Sequence, residues 1–127
     1  MADESSKKIL LAEDDSFLSN MYITKLQLSG YEVVAAEDGE KAIEMLQSEK
    51  PELVLLDIVM PKKSGFDVLE FMKGEPTLEK IPVILLTNLS QKDDVDRGLD
   101  LGADDYLIKA HFTPSEVVSK IEKLLGK

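Results

Sequence analysis

The chain has 127 residues, 43% hydrophobic and 31% charged, a balance that fits one globular domain around a single core. It contains no cysteine, which excludes disulfide and thiol chemistry, and its formal charge of −10 disfavours direct binding to nucleic acid or an anionic membrane. No run approaches the ~20 apolar residues that span a bilayer, and the polar start MADESSKK lacks a signal-peptide core, so a cytoplasmic protein is expected.

Residues 1–127 read as one domain, with 1–6 a flexible tail. Lys8–Ala12 (KILLA) is the first predicted strand and runs straight into Glu13, Asp14 and Asp15. Leu18, Met21, Tyr22 and Leu26 then recur at helical spacing, with Gly30 as the stop. Tyr31–Ala36 (YEVVAA) is the second strand, and Ala42, Met45 and Leu46 mark a helix ending before Pro51. Leu53–Leu56 (LVLL) is the third strand, and it ends on Asp57. Val68, Leu69 and Met72 mark the third helix, with Gly74 and Pro76 beyond it. Val83–Thr87 (VILLT) is the fourth strand. The segment near Gln91–Leu101 predicts a marginal, mobile helix, because only Val95 and Leu99 offer burial and Gly98 interrupts it. Tyr106–Ile108 (YLI) is the fifth strand and leads into Lys109. Thr113, Pro114 and Glu116 then predict the N-cap, first position and capping box of a last helix, with Val117, Ile121, Leu124 and Leu125 as its buried stripe.

Strand and helix thus alternate five times, which implies a parallel sheet with helices on both faces. Three strands are nearly continuous apolar runs, as expected where both faces are covered. Four of the five finish on a polar or charged side chain, at the edge where open α/β sheets bind ligands. If the first and third strands are neighbours, Glu13, Asp14 and Asp57 converge there. Two carboxylates ~4 Å apart repel by roughly 4 kcal/mol at an effective dielectric of 20. Lys109 reaching in from the fifth strand and a divalent cation between the acids would offset that repulsion. All-oxygen ligands with room for water suit Mg²⁺ or Mn²⁺. Taken singly, Asp57 reads equally well as a turn or cap residue, Thr87 as a turn hydroxyl and Lys109 as a solvated lysine. Asp15 reads as an acid at the helix start, His111 as a loop residue and the methionines as core filling. The signal lies in the combination.

These residues in this order resemble the receiver domain of bacterial two-component response regulators, over about residues 7 to 125. ILLAED looks like the family's strand and acid pair, LLDIVMPKKSG like its phosphoacceptor segment, and LLT and YLIK like its hydroxyl and lysine positions. The resemblance implies a flavodoxin-like (βα)5 fold with strand order 2-1-3-4-5. It also implies a phosphoprotein switch in which Asp57 takes a phosphoryl group from a phosphohistidine donor. Asp14, Asp57 and the backbone carbonyl of Val59 would bind Mg²⁺ directly, with Glu13 acting through a metal-bound water. Lys109 would pair with Asp57 and then with the phosphoryl oxygens, Thr87 would hydrogen-bond one of them, and Tyr106 would swing between outward and inward positions. The implied partners are a sensor histidine kinase or phosphotransfer protein and an output protein, the latter at the face of the fourth helix, fifth strand and fifth helix. The only chemistry expected is the domain's own phosphorylation and dephosphorylation.

Two positions depart from the family pattern. Ala110 follows Lys109 where the family has a cis proline, and His111 looks like an insertion. A cis bond before a non-proline residue costs ~2.5–4 kcal/mol, so a trans bond and a rebuilt loop are expected. Asn88 stands where the family has a smaller residue. A Mg²⁺-dependent phosphohydrolase with an aspartyl nucleophile is the alternative reading, but it would need a second acid where Val59 stands. A flavin protein would need a phosphate loop where the acidic AEDDSFLS lies, and a receiver-like module that is never phosphorylated would not need the intact set of acids, hydroxyl and lysine. Val59 and Leu89, at positions flanking the phosphate, carry no group to orient attacking water. Self-dephosphorylation is therefore expected to be slow, with an acyl-phosphate half-life, followed by intact mass after donor removal, well beyond seconds.

Overall fold

A computed structural model describes residues 7–87, 92–109 and 113–126. The expectations for Asn88, Leu89, His111 and the Lys109–Ala110 bond lie outside the described residues. Strands β1 (Lys8–Ala12), β2 (Glu32–Ala36), β3 (Leu53–Asp57), β4 (Val83–Thr87) and β5 (Asp105–Ile108) alternate with five helices. These are α1 (Ser16–Leu28), α2 (Gly39–Glu49), α3 (Gly65–Lys73), α4 (Lys92–Asp100) and α5 (Pro114–Leu125). All strand pairs are parallel, in the order β2-β1-β3-β4-β5, as expected. Among the described residues no helix is long and apolar enough to cross a membrane.

The alternation of side chains along a strand divides the core in two. Leu10, Leu56 and Leu85 point to the face covered by α2 and α3, where they meet Leu46, Leu69 and Met72. Ile9, Leu55 and Ile84 point to the other, where α1 and α5 supply Tyr22, Leu26, Val117 and Ile121. Burial on both faces is why β3 and β4 are buried at every position. The register decides which residues meet at the carboxyl edge. Ala12 pairs with Leu56, so Glu13 stands level with Asp57. Asp57 pairs with Leu86, and Thr87 with Ile108, which places Thr87 one step beyond Asp57 and Lys109 two.

Two helix faces differ from the sequence expectation. In α1 the buried residues are Ser19, Tyr22 and Leu26, while Met21 is 39% exposed beside outward-facing Phe17 and Leu28. Two rows of apolar residues satisfy helical spacing there, and the sheet takes the row carrying Tyr22 and Leu26. Met21 is accordingly a surface residue and not core filling, whereas Met60 and Met72 are core. In α4, Val95 is buried but Leu99 is 37% exposed. Gly98 is the second buried position; its missing side chain lets the helix settle against Leu85 and Phe66. Arg97 adds a cation–π contact, its guanidinium carbon 4.3 Å from the centre of the Phe66 ring.

The starts of α1 and α5 follow the sequence closely. Asp15 caps α1, accepting from the amides of Phe17 and Leu18 at 2.9 and 3.2 Å. The capping box of α5 forms as expected, with the Thr113 amide donating to Glu116 Oε1 at 2.6 Å and the Glu116 amide to Thr113 Oγ1 at 3.3 Å. Thr113 is exposed, so its replacement opens no cavity. Thr113→Ala should therefore cost about 1 kcal/mol of stability through the cap alone. Urea denaturation should show a lower midpoint with an unchanged slope.

Candidate functional site

At the carboxyl edge, Lys109 Nζ lies 2.9 Å from Asp57 Oδ2 and 2.9 Å from Glu13 Oε1. Both acids are almost fully buried, and the lysine side chain is 15% exposed. The contact to Asp57 is an aligned hydrogen bond. The contact to Glu13 is an ion pair only, and Glu13 Oε1 has no aligned hydrogen-bond donor among the described residues. Glu13 Oε2 accepts from the Asp15 amide at 3.1 Å, and Asp57 Oδ1 from the Val59 amide at 3.3 Å.

Asp14 is exposed, yet one carboxylate oxygen each from Glu13, Asp14 and Asp57 lie within 4.8 Å of one another. The expected trio is thus brought together, with Val59 and Lys109 on the walls of the same cleft. Thr87 is buried at the end of β4, and its backbone carbonyl accepts from the Lys109 amide at 2.8 Å. Tyr106 is 38% exposed on β5, in an outward position. The sequence did not reveal the Glu13–Lys109 ion pair. Its signal in the sequence was the general one, Lys109 reaching in to offset the repulsion among the three acids.

Charge explains the titration of the cluster. Burial pushes the Glu13 carboxyl up to about 7, opposed by Lys109 and assisted by the Asp57 charge. Asp57 is also pushed up by burial, against the pull of Lys109. Burial works against the Lys109 ammonium, but its two carboxylate neighbours outweigh that and raise its pKa. One lysine therefore does not neutralise the trio; two formal negative charges remain. A divalent cation would match them. The donors fit one: all are carboxylate oxygens, one buried acceptor lacks an aligned donor, and exposed Asp14 leaves room for water.

The match to known proteins is broad. Residues 9–122 match the model of the response regulator receiver domain. A probable transcriptional regulator, ycf27, of Cyanophora paradoxa is 43% identical over 123 residues, covering 97% of this chain and 50% of the relative. The chain spans about half the length of the curated relatives it matches. Among solved structures, a putative response regulator from Chloroflexus aurantiacus superposes with a TM-score of 0.91 at 27% identity, covering 97% of this chain and 100% of that one. The signal receiver domain of a histidine kinase from Syntrophus aciditrophicus gives 0.87 at 34% identity, covering 95% and 91%.

The raised pKa of Glu13 has a consequence for stability in the absence of a divalent ion. Between the ordinary value of 4.5 and about 7, the folded chain holds a proton that the unfolded chain has released. The stabilisation is full below that window and lost as pH rises through it, an effect of up to roughly 3 kcal/mol. Chemical denaturation in EDTA should show the wild type weakening between pH 5 and pH 8 more than Glu13→Gln does. Equal pH dependence in the two proteins would contradict the assignment.

Proposed function

The chain belongs to the response regulator receiver family, phosphorylation-activated switches of two-component signalling, and we propose that its own switch is set by an acyl phosphate on Asp57. One observation carries this reading: Lys109 Nζ stands 2.9 Å from Asp57 Oδ2 inside a cluster of three acids at the sheet edge. A carboxylate oxygen of Asp57 attacks the phosphorus of a phosphohistidine on a histidine kinase or phosphotransfer protein. The P–N bond breaks as the O–P bond forms, and the leaving imidazole keeps the electron pair and takes up a proton.

Phosphoryl transfer asks the protein mainly for positioning and charge neutralisation. The Val59 amide and Lys109 hold the Asp57 carboxylate at its two oxygens, so its direction is fixed before a donor arrives. Lys109 then turns from the carboxylate to the phosphoryl oxygens. Asp14, Asp57 and the Val59 carbonyl would hold Mg²⁺, or Mn²⁺ in its place, with Glu13 acting through a water. When bound, the ion neutralises the phosphoryl oxygens and the acids together. Glu13 meanwhile keeps Lys109 at the site through their ion pair. Thr87 follows the phosphoryl oxygen, and Tyr106 moves inward behind it.

Output then depends on partner binding at the face of α4, β5 and α5. To move a resting population from ~1% to 99% active, phosphorylation must supply about 5.5 kcal/mol of differential stabilisation. A few charge-assisted hydrogen bonds at about 1.5–3 kcal/mol each reach that figure.

Acetyl phosphate with Mg²⁺ should add one phosphoryl group to the intact mass. The gain should vanish in Asp57→Ala and in chelator. Lys109→Ala should label more slowly by about 10²-fold, the usual effect of deleting one charge-stabilising donor. Labelling that survives Asp57→Ala would remove this reading.

A further inference from the structure

The loop that carries Val59 is held by residues outside the acid cluster. It leaves β3 after Asp57 and is closed at its neck by the Gly65 amide, which donates to the Ile58 carbonyl at 2.8 Å. Met60 is tucked into the core, while Val59 faces out at 58% exposure. At the tip, the Lys63 amide donates to the Pro61 carbonyl at 2.8 Å across Lys62, whose φ is 71°. A bond from i to i+2 over a residue at positive φ is a γ-turn of the rare, strained hand. Strain of this kind persists only where the surroundings impose it.

The surroundings here are the first residues of α2. The Gly39 amide donates to the same Pro61 carbonyl at 3.4 Å. The two segments touch so closely that a side chain on Gly39 would collide with the Lys63 carbonyl. Lys62 Nζ lies 3.9 Å from Asp38 Oδ2 and 3.8 Å from Glu40 Oε1. Asp38 is itself buried and fixed, since it caps α2 by accepting from the Lys41 amide at 2.7 Å. The peptide at Val59 is thus pinned on both sides, by its amide on Asp57 Oδ1 and by a turn locked onto α2.

We propose that the Lys62 turn and Gly39 are positioning elements for the divalent ion: together they fix where the Val59 carbonyl stands relative to Asp57. The proposal rests on reading Asp14, Asp57 and Val59 as ion ligands, and adds that α2, from the opposite side of the loop, sets the affinity. Groups that orient a ligand without touching the metal typically change affinity by 10–100-fold.

The test separates conformation from charge. Lys62→Gly and Lys62→Val remove the same charge from an exposed side chain, but glycine adopts positive φ freely and a β-branched residue does not. Titration calorimetry with Mg²⁺ should find Lys62→Gly close to wild type, while Lys62→Val and Gly39→Ala weaken by roughly tenfold. Circular dichroism and thermal unfolding in EDTA check that each variant is folded. Lys62→Asn against Lys62→Ala gives the same contrast at lower strain, should the valine variant not fold. Equal Mg²⁺ affinity in the glycine and valine variants would overturn the proposal, whether both match wild type or both lose affinity through the missing charge. If wild-type binding also vanishes in Asp57→Asn, the ligand reading survives that failure. A wild type that takes up no Mg²⁺ would overturn both.

Discussion

A single ammonium group serves two buried carboxylates. Lys109 sits 2.9 Å from both Glu13 and Asp57, and neither acid has water enough to carry its charge alone. In a packed apolar sheet edge such an arrangement is unstable in its ionised form, which is why burial raises the pKa of both acids. A proton on Glu13 or a cation beside it relieves the same deficit. The site is therefore tuned by charge before any partner arrives, and positive charge close by favours the ionised form of Asp57 against its burial.

The fold makes this deficit unavoidable. β1 and β3 are neighbours because the strand order reverses at β1, and their register brings Glu13 level with Asp57. Lys109 is delivered two strands away by pairing of β4 with β5. Glu13 follows directly on β1 and Asp57 ends β3, both covered on both faces, so neither can retreat to solvent without unravelling a strand end, while Lys109 reaches in from the edge strand β5. Only Asp14, turned outward after Glu13, remains exposed. The cluster thus has three largely buried members and one open side.

Much of this was legible in the chain because two independent periodicities agree. Runs such as LVLL and VILLT have no polar face and so must be interior strands, and the polar residue that ends each must then lie at one edge. What the sequence hid were choices between equivalent local patterns and contacts between distant loops. In α1, Phe17, Met21 and Leu28 form an outer row as regular as the inner one, and only the sheet selects between them. In α4, Gly98 looked like a helix weakness and is a packing surface, because its value depends on Leu85 and Phe66. The Ser64 capping box of α3 is closed by Asp67 where the usual signature has Glu or Gln, which hides it in the sequence. The meeting of Asp38 with Lys62 has no periodic signature, since it joins two loops on different sides of a strand.

Charge also limits what phosphorylation can do. At rest the three acids outweigh Lys109 by two charges, and a divalent ion closes that gap. An acyl phosphate on Asp57 would replace one negative charge by about two, so the deficit reopens by one even with the ion in place. The charged side chains that line the cleft among the described residues are Glu13, Asp14, Asp15, Asp57 and Lys109. Neutral donors, hydroxyls and amides, would meet part of the added charge by moving toward it. Thr87 is the hydroxyl at that edge, and its strand pairs with the one that carries Tyr106. On the proposed reading a rearrangement of β4 and β5 would meet that charge, and α4, docked on β4 through Gly98, lies directly against them.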